Sequence, residues 1–335
     1  PTLDLSEVAF EHENLTATDV RVKVYESNLD CPDGKKAAFF AVYPIRSEPV
    51  PVAILFHSGA LDFAPLRTGA EDEAEFVASN RLTEVWGKSR IWEMLNLTAQ
   101  SLDTGVNDLG TLPTALANAG IAQLYPSNCW GDSCHNGRER NPNNAESEGF
   151  SRQGFDMAKL MVDLINNQEL ADELSFSLFD SIDASQNYWI GLGSGGQAII
   201  ELLLSGTTQP SGLLFDSTPA TLWPYFSNEA YEFEQEAFSR IFGDSSVGDF
   251  TLYQIDSLPE RSGWIWSNGD SQQPQQSLVA GAEVLSIQEG SWVKDVNLAG
   301  HVFLNQDIEL ATEAVNYLLG TAENSESEPD TTDTG

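Results

Sequence analysis

Short apolar runs alternate with amphipathic stretches along most of the chain. Apolar residues at every second position of 20–24, followed by an apolar run at 37–43, predict two strands that pair as an antiparallel hairpin. The continuous apolar run at 52–56 is typical of a strand that is buried on both faces of a sheet. Further strands are predicted at 121–125, 188–190, 212–216 and 262–266, and a last strand is expected to begin at 283–287.

The longer segments between these runs have the spacing of helices that bury one face. Helical spacing of apolar residues predicts helices at 111–119, 155–165, 198–204 and 307–319. The stretch 71–97 also has helical spacing, and it is longer than a usual connection. Strands that alternate with helices favour an α/β fold, in which a mostly parallel central sheet is covered by helices on both faces.

A glycine cluster joins one predicted strand directly to a helix. The apolar residues 188–190 lead into Gly191-Leu192-Gly193-Ser194-Gly195-Gly196, and the apolar run 198–204 follows. Such a bend needs backbone angles that glycine adopts at low cost, and small residues where the strand and the helix nearly touch. This stretch resembles the nucleophile elbow of the α/β-hydrolase family, whose pattern is Gly-x-Ser-x-Gly.

The resemblance allows two registers. With Gly191 as the first glycine, Gly195 is the last, Gly196 is an additional glycine, and Gly193 lies in the nucleophile position. With Ser194 in the nucleophile position, Gly196 fits behind it, but Leu192 lies where a small residue is needed. Steric requirements favour the first register, and acyl transfer favours the second, because it needs an oxygen nucleophile.

Two non-catalytic interpretations of the glycine cluster stay open. A glycine at the tip of an elbow relieves a strained conformation that costs other residues about 1–3 kcal/mol, so a chain without catalytic activity can carry Gly193 stably. The cluster also fits a loose dinucleotide-binding pattern. We disfavour that interpretation because the cluster lies late in the chain and no acidic residue about 20 positions on completes a convincing βαβ unit.

The family resemblance implies a catalytic triad in the chain order nucleophile, acid, histidine. The nucleophile position is filled by Ser194 or Gly193, and Asp270 follows a glycine at the end of the penultimate strand. His301 lies just past the last strand in an Ala-Gly-His-x-Phe context. As alternatives, Asp270 is an ordinary surface acid and His301 is a packing residue.

An oxyanion hole is implied by the same resemblance. The segment His57-Ser58-Gly59-Ala60 follows the strand at 52–56, where the family has a His-Gly-Gly type segment whose backbone N–H groups bind the oxyanion. Ser58 and Gly59 are the candidate donors from this segment, and Gly195 is the candidate donor that follows Ser194. The alternative is an ordinary turn at the end of a strand.

The resemblance therefore implies a serine hydrolase that acts on carboxylic esters through Ser194, His301 and Asp270, with a small-molecule ester as substrate and no cofactor. The alternative is a catalytically inactive α/β-hydrolase-fold protein with a binding or surface-structural role, because Gly193 fits the nucleophile position best. Cys129, Asp132, Cys134 and His135 form a single cluster without a second ligand pair, so no metal is expected.

One domain is expected at 1–320, with an insertion at about 221–250. The insertion is rich in aromatic residues, which form either part of the core or a cap over an acyl pocket. Residues 321–335 are acidic and lack apolar anchors, so they are expected to be a disordered tail or a linker.

The chain is strongly acidic, with 51 Asp and Glu against 16 Lys and Arg, a formal net charge of -35. Such a surface repels nucleic acid and anionic lipid, and it suits a salty medium. No apolar run is long enough to predict a membrane span.

The start at Pro1 suggests that a leader was removed, and Cys129 and Cys134 are close enough in sequence to form a bridge. A secreted, periplasmic or cell-surface protein is expected. The pairing of Cys31, Cys129 and Cys134 and the oligomeric state are left open.

Overall fold

A computed structural model describes residues 4–8, 20–30, 36–56, 111–126, 152–206, 208–221, 252–270, 273–300 and 302–321. The strands of the described residues are β1 (Leu5–Val8), β2 (Val20–Asp30), β3 (Lys36–Pro44), β4 (Val50–Phe56), β5 (Ala122–Pro126), β6 (Ile182–Leu192), β7 (Gly212–Asp216), β8 (Arg261–Trp266), β9 (Gly269–Asp270), β10 (Trp292–Asp295) and β11 (Ala299–Gly300). The helices are α1 (Thr111–Asn118), α2 (Arg152–Asn166), α3 (Gln168–Glu173), α4 (Gly196–Leu204), α5 (Gln275–Ser286) and α6 (Ile308–Leu319).

Nine of these strands form one sheet in the order β1-β2-β3-β5-β4-β6-β7-β8-β10. The pairs β1–β2, β2–β3 and β3–β5 are antiparallel, which confirms the predicted hairpin of β2 and β3. The remaining pairs, from β5 through β4, β6, β7 and β8 to β10, are parallel. The predicted mostly parallel α/β sheet is therefore confirmed.

The sheet buries both of its faces, as the continuous apolar run in β4 predicts. Val52 and Ile54 lie in the core shared with α2 and α4, whereas Ala53 and Leu55 lie in the core shared with α1 and α6. All four residues have no exposed surface. Because successive side chains of a strand point to opposite faces, helices must cover both sides of such a strand.

One predicted strand is wrong. The sequence predicts the start of the last strand at 283–287, but residues 283–286 are the last residues of α5 and Ile287 is its C-cap. The last strand of the main sheet is β10. The buried residues Leu278, Ala282 and Leu285 follow helical spacing. This periodicity extends over 12 residues and outweighs the β-branched residues near its end.

The described residues that flank the predicted cap are hydrogen bonded to each other. Leu252 N donates to Ala220 O at 2.9 Å, so the described residues on either side of 222–251 lie next to each other. The aromatic residues of the predicted insertion lie outside the described residues. The cysteines at 31, 129 and 134 and the acidic tail after Thr321 also lie outside them.

The N-terminus of α6 is capped by Asp307, whose Oδ1 accepts hydrogen bonds from Glu309 N at 2.8 Å and Leu310 N at 3.1 Å. We expect Asp307→Ala to lower the free energy of unfolding by about 1 kcal/mol, because two N–H groups lose their acceptor. Asp307→Asn keeps a capping oxygen and serves as the control. Urea unfolding followed by tryptophan fluorescence measures both, and equal losses in the two variants would contradict a capping role.

No helix among the described residues combines the length and the apolar character that crossing a membrane requires.

Candidate active site

The described part of the candidate site lies at one edge of the sheet. β6 ends at Leu192, β7 ends at Asp216, and these two residues are paired in register. Asp216 is also paired with Ile265 near the end of β8. Because the three strands are parallel, the segments that follow them leave the sheet at the same edge, which is where open α/β sheets bind ligands.

The glycine cluster forms the predicted corner between β6 and α4. A single turn of 3₁₀ helix, Gly193–Gly195, connects the strand to the helix. Gly193 has a φ of 56°, in the left-handed region, whereas Gly195 has a right-handed conformation with φ -60° and ψ -28°. The sharp change in chain direction therefore falls at Gly193, where glycine avoids the strain that a side chain introduces.

Strand and helix approach closely at this corner. A Cβ atom on Gly191 would lie 2.5 Å from Gly196 Cα, so a side chain at either position collides with the opposite backbone or its surroundings. A Cβ atom on Gly196 would lie 2.2 Å from Thr218 Oγ1. Thr218 is fully buried and donates from Oγ1 to Gly193 O at 2.9 Å. The corner is thus fixed by contacts that only glycine permits.

These backbone features coincide with the register that has Gly191 as the first glycine and Gly193 at the tip. The position after the tip is then Ser194, which lies in the 3₁₀ turn. The side chain of Ser194 lies outside the described part of the chain, so its role as a nucleophile stays a prediction.

Asp270 and the chain next to His301 belong to one small ladder. β9 and β11 pair in parallel, and Gly300 is the register partner of Asp270. The Asp270 side chain is partly exposed, and its Oδ1 accepts a hydrogen bond from Gln273 N at 2.9 Å. Ser267 Oγ donates to Leu298 O at 2.5 Å and ties the same two segments together.

His301 lies outside the described residues, but both of its neighbours are described. Gly300 has a φ of 137°, and Val302 has left-handed angles of φ 55° and ψ 77°. A left-handed conformation is rare for a β-branched residue, and strained residues of this kind cluster at functional sites. Ser58 and Gly59, the predicted oxyanion donors, also lie outside the described residues.

Sequence reasoning missed three polar residues that follow the apolar part of β7. Asp216, Ser217 and Thr218 have no exposed surface. Asp216 Oδ2 accepts from Leu304 N at 2.7 Å, Ser217 Oγ accepts from Val302 N at 3.0 Å, and Thr218 Oγ1 donates to Gly193 O. The signal in the sequence was an Asp-Ser-Thr run directly after a buried strand.

Tyr125 is a buried titratable group near the same edge of the sheet. Burial raises the pKa of the Tyr125 hydroxyl well above its ordinary value, so the hydroxyl stays protonated at neutral pH. It donates to Gln123 Oε1 at 2.5 Å, which gives it a structural partner. Within the described ranges, no three His, Cys, Asp or Glu side chains come together in a way that would hold a metal ion.

Comparison with known proteins gives structural matches only. No family model and no curated protein sequence matches the chain. An acetyl xylan esterase from a Paenibacillus species is similar, with 12% identity and a TM-score of 0.51 over 95% of this chain and 88% of the other. Carboxyl esterase 2 from the mycorrhizal fungus Tuber melanosporum has 16% identity and a TM-score of 0.50 over 91% of this chain and 86% of the other.

A third similar structure is acetyl xylan esterase 1 from a Thermoanaerobacterium species. It has 13% identity and a TM-score of 0.50, and the match covers 96% of this chain and 89% of the other. At these identities the likeness concerns architecture, and it agrees with the strand order and with the glycine corner between β6 and α4. The chain therefore has the α/β-hydrolase fold.

Proposed function

We propose that this protein binds a small carboxylic ester noncovalently at the carboxyl edge of its sheet and does not form an acyl-enzyme. The observation that carries this proposal is the left-handed backbone of Gly193 at the turn from β6 to α4. In the nucleophile elbow of the family, the attacking residue occupies this sharp and strained turn. Glycine at the turn supplies no oxygen, so the first step of covalent acyl transfer has no nucleophile there.

The glycine contacts at the corner support the same register. The close approach of Gly191 to Gly196 lies two residues before and three residues after Gly193. If Ser194 were at the tip, Leu192 would occupy the position two residues before it. Leu192 is instead the last residue of β6, and its side chain is buried in the core shared with α1 and α6.

The proposed ligand class rests on the polarity of the corner and on the similar structures. The first turn of α4 directs backbone N–H groups toward the corner, and such groups favour a carbonyl oxygen or a negative charge. The similar solved structures are named as acetyl xylan and carboxyl esterases. An ester carbonyl is therefore the ligand group that we infer for this edge.

A second candidate function is serine-dependent hydrolysis of carboxylic esters. Ser194 would attack the ester carbonyl, His301 would accept the serine proton, and Asp270 would orient the imidazole. Backbone N–H groups of Ser58, Gly59 and Gly195 would stabilise the oxyanion. The pairing of Asp270 with Gly300 favours this candidate, because it brings the acid and the segment adjoining His301 into one ladder.

A labelling experiment on the wild-type protein separates the two candidates. We expect no covalent labelling by a fluorophosphonate probe and hydrolysis of p-nitrophenyl acetate near the uncatalysed rate, because no oxygen lies at the tip. Ethyl butyrate should still bind, which saturation-transfer NMR measures. Ser194→Ala is expected to leave binding and background hydrolysis unchanged.

Labelling of Ser194 that is lost in both Ser194→Ala and His301→Ala would overturn the binding proposal in favour of the serine hydrolase. Absence of labelling, of hydrolysis and of ester binding in the wild type would contradict both candidates.

A further inference from the structure

The residues after β7 connect both halves of the candidate site. Asp216 ends β7 between Leu192 of β6 and Ile265 of β8, so it lies between the strand of the glycine corner and the strand before Asp270. Its side chain has no exposed surface. A carboxylate at such a position is costly unless hydrogen bonds compensate for its lost hydration.

The hydrogen bonds of this carboxylate lead to the segment that follows His301. Asp216 Oδ2 accepts from Leu304 N at 2.7 Å, and Oδ1 accepts from Ser217 Oγ at 3.0 Å. Ser217 Oγ in turn accepts from Val302 N at 3.0 Å. One carboxyl group and one hydroxyl thus hold the amides of Val302 and Leu304.

Two left-handed residues meet at this hydrogen bond. Ser217 has a φ of 54° and Val302 has a φ of 55°, and both side chains are buried. Strained backbone conformations of this kind persist only where contacts with the surrounding structure hold them in place. The bond from Val302 N to Ser217 Oγ is the described contact that joins the two strained residues.

The same segment also holds the glycine corner, because Thr218 Oγ1 donates to Gly193 O at 2.9 Å. On the other side of residue 301, Gly300 is paired with Asp270. The chain is therefore anchored immediately before residue 301 by the strand that carries the acid, and immediately after it by Ser217.

We propose that Asp216 and Ser217 are positioning residues that hold the segment bearing His301 against Asp270. The inference rests on the proposed function in taking the carboxyl edge of the sheet as the site, and it takes His301 from the second candidate function. It does not depend on whether a nucleophile is present, because it concerns the orientation of the imidazole and not a covalent step. A carboxylate next to an imidazole favours the protonated form of the ring, so the titration of His301 is a measure of this positioning.

The test measures the titration of His301 by NMR, which requires no turnover. The chain has four histidines, so His301→Gln identifies the resonance. We expect the wild-type imidazole to titrate above the ordinary value of about 6.5, and Ser217→Gly to move its midpoint back toward about 6.5. Glycine removes the hydroxyl and also relieves the left-handed strain at position 217, so this variant is expected to fold.

Three further variants distinguish positioning from stability alone. Ser262 is also fully buried, and its Oγ donates to Pro259 O at 2.7 Å near the start of β8, at the opposite edge of the sheet. Ser262→Ala should lower the melting temperature without changing the His301 midpoint. Asp216→Asn keeps an acceptor for Leu304 N and should move the midpoint less than Asp216→Ala does.

A His301 midpoint that is the same in the wild type, Ser217→Gly and Ser262→Ala overturns the proposal and leaves Asp216 and Ser217 with a purely structural role. That result would leave the binding proposal intact, because ester binding is measured separately. Conversely, the wild type could fail to bind the ester while Ser217→Gly still moves the His301 midpoint as expected. That result would reject the binding function and retain the positioning role.

Discussion

Replacing Gly193 by serine is expected to give the protein ester hydrolase activity. Loss of the nucleophile in a comparable triad lowers kcat by about 10⁶, which sets an upper limit for the gain. We expect at least about a 10³-fold increase in p-nitrophenyl acetate hydrolysis over the wild type, because Asp270 and the segment adjoining His301 already share a ladder. The same variant should become labelled by a fluorophosphonate at position 193.

The control for this gain is Gly193→Ala. Alanine introduces the same left-handed strain at φ 56° but no oxygen, so it should stay inactive. Both variants should lose about 1–3 kcal/mol of unfolding free energy, measured by urea unfolding. Adding His301→Ala to Gly193→Ser should return hydrolysis to background, since the serine then lacks its base.

The opposite pattern would contradict our interpretation of the corner. If the wild type hydrolyses the ester, Ser194→Ala abolishes that activity, and Gly193→Ser adds nothing, then the attacking oxygen belongs to residue 194. The serine hydrolase would then be the correct function, and Gly193 would precede the nucleophile.

The architecture could be predicted because its signals are local. The apolar runs of β4, β7 and β8 are short, continuous and bounded by turn residues, so they identify buried strands without any knowledge of their neighbours. The segment 283–287 was wrongly predicted as a strand because Val284 and Ile287 favour strands. The buried residues along the whole of α5 follow helical spacing instead.

The site could be predicted only in part because its contacts join distant segments. The sequence alone allowed two registers at the glycine cluster, and the left-handed backbone angle of Gly193 supports the register with Gly193 at the tip. Asp216 was missed because the amide that it binds, that of Leu304, lies 88 residues further along the chain. A polar run after a strand predicts an exposed loop unless its distant partner is known.

The contact between α4 and Thr218 predicts the largest effect on stability. A Cβ atom on Gly196 would lie 2.2 Å from Thr218 Oγ1, 2.4 Å from Cγ2 and 2.8 Å from Cβ. Thr218 is fully buried and hydrogen bonded to the corner, so it has no room to yield. We expect Gly196→Ala to lower the unfolding free energy by about 3 kcal/mol or more, or to prevent folding.

Gly206→Ala is the control that separates backbone strain from collision. Gly206 has a φ of 71°, and a Cβ atom there would meet nothing within 4 Å. Its replacement should cost only the left-handed penalty of about 1–2 kcal/mol. A loss at Gly196 that does not exceed the loss at Gly206 would contradict the close approach of α4 to Thr218.

A second substitution tests whether Thr218 itself is the obstacle. Thr218→Ala removes both the Oγ1 and the Cγ2 atoms, so the double variant Gly196→Ala/Thr218→Ala should recover part of the stability lost in Gly196→Ala. Residues in contact show coupling of about 0.5–3 kcal/mol. The double variant should therefore lose less unfolding free energy than the two single variants together, by an amount in this range. Urea unfolding of the four proteins in the cycle measures the coupling. Simple additivity would contradict a direct collision between a side chain at position 196 and Thr218.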